Sequence, residues 1–499
     1  VPLVVIDLSG PTLTPDERRF LADEPVAGIC LFARHTPDHR RARDLVAAAR
    51  EAAGRPLLVA IDQEGGTVAR LLDGPVPPAA MALGAADDLA LTEAVAAATA
   101  RSLRSVGVNV DLAPVADVAL DPRNPVIAER AFGADPAFVG RHVAAFVRGL
   151  QSGGVAATLK HFPGHGDVDV DSHHALPHLD VDRARLDAVE WRPFRDGLAA
   201  GAAAVMTAHL LVPALDPALP ATLAPAALAA LRDDLGFDGV VFSDALDMRA
   251  IADRWSAAEA TLLALAAGVD APLVLGPLSA HAAVLRAVEA ALREGRLDPA
   301  RIAAAEGRVA RLAAAFPPHA HPDAAIHPED VALMAHAARR SIVALGNPPR
   351  LAPGRPVVLV AGAPVRDRTA VEADDHPTAT FAAALAAAGL PVRLLDPTAD
   401  ATALAAALDG AQALLLASAS RAPWSPAEIA RARAMLAQAA GAGVPTLHVA
   451  LWNPAHAAAL PGPALLGFGF RRDTAAALVH ALLTGDAPGR APLPLTVAA

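Results

Sequence analysis

The sequence predicts an α/β protein in two parts: a (β/α)8, TIM-type barrel followed by a smaller α/β sandwich domain. Three observations carry this. Eight short apolar, β-branched runs recur across residues 1–315 with Ala/Leu/Arg-rich stretches between them, the βαβα alternation of a parallel sheet. A proline-rich break follows at 316–330. Beyond it a shorter strand–helix alternation starts afresh over 331–499.

Taken in order, the barrel strands are expected near 3–8, 28–32, 57–62, 108–113, 157–162, 204–209, 239–244 and 272–275. Each is a run of roughly 4–8 residues, the length of a buried strand. Segments such as 40–53, 91–106 and 257–267 carry apolar residues at helical spacing, and supply the crossovers that parallel strands require. Eight such units in this length fit a barrel, with an open doubly wound sheet as the alternative. The connection from Phe162 to the strand at Ala204 is unusually long and holds most of the polar chemistry. Pro317-Pro318-His319-Ala320-His321-Pro322, with Pro328 beyond, has linker composition. Strands of the second domain are expected near 357–361, 392–395, 413–417, 446–451 and 464–467. No internal repeat accompanies them.

Composition narrows the function classes. Apolar residues make up 54% and charged residues 19%, with a mean hydropathy of +0.36, far from a disordered chain. No run reaches the ~20 strongly apolar residues of a membrane span. A net charge of −11 offers no basic surface for nucleic acid or anionic lipid. The lone Cys30 cannot form an internal disulfide and reads as a small core residue. No basic n-region precedes the first strand-like run, so a cytoplasmic protein is expected, with a removed leader as the alternative. Of the 42 basic residues a single one, Lys160, is lysine. A compact ammonium is not replaceable by a planar guanidinium, which marks position 160 for attention.

In a TIM-type barrel, catalysis lies at the carboxyl ends of the strands. Five expected strands end in polar residues: Asp62-Gln63-Glu64-Gly65-Gly66, Asp111, Lys160-His161, His209 and Ser243-Asp244. Helix caps and solvated loop starts are the structural alternative for each. The run 160–174 contains four His beyond Lys160 and three Asp. A zinc or manganese site is one reading, yet the spacing matches no common ligand pattern. A sharper reading pairs Asp171 with His173, so that the carboxylate holds one ring nitrogen and the other moves a proton. Ser172 lies outside any G-x-S-x-G elbow, which disfavours a serine nucleophile. Asp244, ending an apolar strand, is placed to attack an anomeric carbon, as in retaining glycosidases. Asp247 is expected to cap or face the next helix.

Together the run 160–173 with Pro177, Asp244-Ala245-Leu246-Asp247-Met248, Asp62–Gly66 with Arg70-Leu71, and Arg130-Ala131-Phe132-Gly133 with Asp135-Pro136 resemble glycoside hydrolase family 3, in its β-N-acetylhexosaminidase branch. Asp7-Leu8-Ser9-Gly10 and Leu31-Phe32-Ala33-Arg34 fit the same pattern. The resemblance implies a retaining mechanism with Asp244 as nucleophile and His173, oriented by Asp171, as acid/base. It also implies sugar-binding roles for Asp62, Arg70, Arg130, Lys160 and His161, with no metal and no cofactor. The expected substrate is a small N-acetylglucosamine-containing oligosaccharide or muropeptide, cut from the non-reducing end, as in peptidoglycan recycling or chitin breakdown. No nucleic-acid or membrane partner is expected, and the chain is expected to be a monomer or homodimer. Phosphorolysis and β-glucosidase activity are alternatives within the family. A metal-dependent barrel hydrolase and a non-catalytic sugar-binding protein are alternatives outside it. The role of the second domain is open.

Overall fold

The computed structural model describes residues 2–317, 326–361 and 376–493. Eight parallel strands close a barrel in chain order: β1 Val5–Ile6, β2 Gly28–Leu31, β3 Leu58–Ile61, β4 Val110–Asp111, β5 Ala156–Phe162, β6 Ala204–Thr207, β7 Val240–Ala245 and β8 Ala271–Val274. The predicted barrel is therefore present, and the open-sheet alternative is not. β1 and β4 are shorter than their apolar runs, because ladder pairing stops before apolar burial does.

Side-chain alternation sorts the strands into two layers. Val5, Cys30, Leu58, Ala60, Val110 and Phe242 fill the barrel interior. Ile6, Ile29, Leu31, Val59, Ile61 and Val241 face outward into the helical ring. Cys30 is fully buried in that interior, as a small core residue. The helices start where the sequence supplies caps. Thr14 and Glu17 form a capping box for Pro15–Asp23, Asp38 caps His39–Ala53, and Ser256 with Glu259 caps Ala257–Ala267. Each such cap contributes about 1 kcal/mol.

The second domain is a six-stranded sheet: β9 Val343–Leu345, β10 Val357–Ala361, β11 Val392–Leu395, β12 Ala413–Ser418, β13 Thr446–Ala450 and β14 Ala464–Leu466. Its order is β11-β10-β12-β13-β14-β9, parallel except for β9, which runs antiparallel to β14. Apolar clusters cover both faces, with Leu359 and Leu415 on one side and Val358 and Leu414 on the other. β9 was not expected, since three residues directly after a helix carry no readable period.

Much of the expected linker, residues 318–325, lies outside the described residues. Residues 328–330 are the first turn of helix Pro328–Ser341. That helix is shared: Met334 and Ala337 pack with the barrel, and Ala338 with the second domain. A further cluster joins Ala79, Met81, Ala82 and Ala85 of the barrel to Ala450, Leu466 and Phe468 across the interface.

Candidate active site

Two irregularities in the barrel set up the site. Register shifts fall between Leu159 and Phe162 in β5 and between Phe242 and Ala245 in β7. In a regular strand successive side chains face opposite sides, and a bulge relaxes that rule. Hence Lys160 and His161 both line one cavity, as do Asp244 and Ala245. The cavity holds about 510 Å³ at the carboxyl ends of the strands and is also lined by Asp62, Glu64, Arg70, Arg130, His165 and His173. That is within the usual range for a small-molecule pocket.

One wall is a buried charge network. Lys160 Nζ, 2% exposed, lies 2.7 Å from Asp62 Oδ1 and 2.5 Å from Glu64 Oε1. Arg130 donates from Nε and Nη2 to the two Glu64 oxygens, both at 2.8 Å, a bidentate pair. Arg70 Nη2 is 3.4 Å from Asp62 Oδ2. Burial alone would raise both carboxyls, but Arg130 and Lys160 hold Glu64 far below its ordinary value, and Lys160 and Arg70 hold Asp62 below its own. Burial would lower Lys160, and the same two carboxylates keep it above its ordinary value. The only lysine in the chain is thus a compact charge between two carboxylates, the geometry that a planar fork suits least. His161 Nδ1 is 2.7 Å from Asp117 Oδ2, so its Nε2 accepts from Arg130 Nη2 at 3.1 Å.

A second set of contacts centres on Asp171, His173 and Asp244, and His173 and Asp244 line the same cavity. Asp171 Oδ1 accepts from the His173 backbone N–H at 2.8 Å and from His173 Nδ1 at 2.7 Å. Among the described residues no hydrogen bond to His173 Nε2 is seen, and His173 lines the cavity. Burial would lower the His173 pKa, but the Asp171 bond and the charges of Asp171 and Asp244 raise it above the ordinary value. Burial would raise Asp244, and the surrounding imidazoles of His209, His161 and His173, with the Ala245 N–H at 2.8 Å, leave it lowered.

Other expected residues fall elsewhere. His209 lies just beyond β6, fully buried, and its Nε2 donates to Ala245 O at 2.9 Å. It therefore steadies the strand that carries Asp244. Asp111 is buried, accepts from Gln63 N–H at 2.9 Å, and is pushed up to about 8 by burial. Of the two expectations for Asp247 the cap is corrected, since Met248 holds the N-cap position of helix Arg249–Ala252, and Asp247 lines the cavity. Asp244 lies within β7, not at a cap. Ser172 Oγ is 3.2 Å from His165 Nε2, and its carbonyl accepts from Ala250 N–H. Three of the four histidines of the run 160–174, His161, His165 and His173, disperse among separate partners, Asp117, Ser172 and Asp171. Among the described residues no group of three or more His, Cys, Asp or Glu converges as a metal site. Nor is any helix among them long and apolar enough to cross a membrane.

Three residues of the network were not singled out from the sequence. Glu64 stood in the strand-end run Asp62–Gly66, but its pairing with Lys160 and Arg130 had no local signal. Asp117, which orients His161 and accepts from His165 N–H at 2.7 Å, had no local signal. Neither had Glu129, fully buried and 2.5 Å from Thr67 Oγ1.

Comparison with known proteins agrees with this geometry. Residues 3–312 match the glycosyl hydrolase family 3 N-terminal domain. A β-hexosaminidase of Stenotrophomonas maltophilia strain K279a is 41% identical over 285 residues, 55% of this chain and 84% of that protein. The β-hexosaminidase A of Pseudoalteromonas piscicida is 34% identical over 336 residues, 61% of this chain and 56% of that protein. Both domains align with a family 3 β-N-acetylglucosaminidase structure from Paenibacillus sp. strain FPU-7, with TM-score 0.90, 34% identity, and coverage of 100% of this chain and 98% of that one. The barrel, its strand-end carboxylates and the family match over most of the barrel together place this chain among the glycoside hydrolases of family 3.

Proposed function

We propose that the protein is a retaining, exo-acting β-N-acetylglucosaminidase that removes terminal N-acetyl-β-D-glucosamine from small conjugates such as muropeptides or chitin oligomers. The carrying observation is the 2.7 Å Asp171–His173 bond on the wall of the cavity that Asp244 also lines. In the first step the Asp244 carboxylate attacks the anomeric carbon while His173 Nε2–H protonates the departing glycosidic oxygen. The anomeric C–O bond breaks and a glycosyl ester forms. In the second step the neutral imidazole takes a proton from water, whose oxygen displaces Asp244. Asp171 keeps the Nδ1 proton in place through both steps. Asp62, Glu64 and Lys160, with Arg70 and Arg130, offer acceptors and donors to ring hydroxyls. Among the described residues Phe32 is the one Phe, Tyr or Trp in the cavity lining, and the chain has no tyrosine. A long glycan would lack stacking platforms, which supports a short substrate.

Phosphorolysis is the second reading. It is favoured by the base being an imidazole, neutral after the first step, which repels an incoming phosphate less than a carboxylate would. A structural neighbour that is a β-glucoside phosphorylase shares the fold at 20% identity.

A panel of aryl β-glycosides, with and without phosphate, tests both readings. The N-acetylglucosaminide is expected to be cleaved fastest, with free sugar as product. Sugar 1-phosphate would favour the second reading, and preference for the glucoside would overturn the substrate class. A fluorinated N-acetylglucosaminyl pseudosubstrate should label a peptide containing Asp244, and a label elsewhere would sink the mechanism.

A further inference from the structure

We infer that Arg471, from the second domain, is a positioning residue for the sugar-holding rim of the barrel. This rests on the reading that Asp62, Glu64, Arg70 and Arg130 hold the sugar. β14 runs into Gly467-Phe468-Gly469-Phe470-Arg471, and Phe468 and Phe470 are each 1% exposed. The backbone that presents Arg471 is therefore anchored on both sides. Its side chain crosses to the barrel, where Nε donates to Gly66 O at 3.0 Å and Nη2 to Thr67 O at 3.4 Å.

Those carbonyls belong to a tight turn. Gly65 N–H bonds to Val68 O at 3.0 Å and Val68 N–H to Gly65 O at 3.1 Å. Gly66 has φ +58, and a Cβ there would meet the Ala79 Cβ at 2.5 Å. The turn separates Glu64 from Arg70 along the chain. Its Thr67 Oγ1 donates to Glu129, the neighbour of Arg130, while Arg130 returns to Glu64. Residues 64–67 and 129–130 thus form a closed ring with Glu64–Arg130 on the cavity side. Arg471 pins that ring from outside. The interface itself does not depend on this pin: the apolar cluster around Met81 and Phe468, and Arg490 N–H to Ala85 O at 2.7 Å, persist without the side chain. Its removal should loosen the rim and leave the domains docked.

The test compares wild type, Arg471→Ala and Arg471→Lys in the full chain. In Arg471→Ala, amide exchange at 64–68 and 128–131 is expected to rise about tenfold with 240–245 unchanged, and the melting temperature is expected to hold within a few degrees. With an aryl N-acetyl-β-glucosaminide, KM should rise roughly tenfold and kcat by less than about threefold either way, with the His173-dependent pH limb unmoved. Arg471→Lys, which can reach one carbonyl, should recover part of the loss. Unchanged exchange in both segments would overturn the inference, as would a fall in kcat at constant KM or a loss that tracks a lowered melting temperature. If the wild type cleaves no N-acetylglucosaminide, the substrate reading fails by itself, and the exchange measurement still decides the role of Arg471.

Discussion

His173 illustrates how one contact sets a residue's task. In the proposed mechanism His173 is the general acid and must be protonated in the free enzyme, and Asp171 holds its pKa above the ordinary value. kcat/KM is therefore expected to fall only as pH rises through that raised value, above about 6.5. The acidic limb follows Asp244, which is lowered, and lies below about pH 4. His173→Ala should remove the alkaline limb and cost poor leaving groups roughly 10²–10⁴-fold, but nitrophenol much less. Equal losses for both leaving groups, measured across a series of aryl and alkyl glycosides, would reassign the acid. Asp111 makes the converse case. Its folded value of about 8 lies above its unfolded one. Its stability contribution is therefore fully present below about pH 4 and is lost as pH rises toward 8. Asp111→Asn should flatten the decline in melting temperature between pH 5 and 9, and an unaltered slope would refute the assignment.

At the scale of elements, close approach between helices sets the outer ring. Helices Leu89–Ser105 and Pro136–Ser152 meet at Gly149, where a Cβ would lie 2.1 Å from Glu93 O and 2.8 Å from the Ala96 Cβ. Glycine here serves proximity and not a special backbone conformation. Gly149→Val should destabilise by about 1–3 kcal/mol, as overpacking does, with the helix content by circular dichroism unchanged and KM unaffected. A neutral thermal melt would mean that the helices can part without cost. The β5 and β7 irregularities belong to the same scale. Each turns two consecutive side chains toward the cavity, so the site's density of polar groups depends on broken register.

Across the whole molecule the two domains share buried surface. Helix Pro328–Ser341 contributes to both cores, and Met81 is 1% exposed in the cluster that joins them. Calorimetry is expected to give one cooperative transition. Met81→Asp places a charge among the apolar side chains of that cluster and should cost about 3 kcal/mol or more, splitting that transition into two. A single transition of undiminished temperature would show that the interface is incidental.

The eight barrel strands and the five parallel strands of the second sheet were legible because apolar runs of strand length, separated by helical spacing, have few other ways to bury their surface. The Asp171–His173 contact was legible because the two are two residues apart, and the place of Asp244 in the cavity lining because it ends an apolar strand. Cavity neighbours drawn from distant segments were not: Glu64 meets Arg130, Asp117 meets His161 and Arg471 meets Gly66 only after closure of the barrel and docking of the second domain. The short antiparallel β9 was equally silent, since its pairing with β14 is a long-range event. Local sequence determined which segments become strands and which side chains carry reactive groups, because propensity and periodicity act over a few residues. The tertiary structure decided which charges neutralise one another and which rim is braced, because those energies depend on through-space distances between segments up to 405 residues apart.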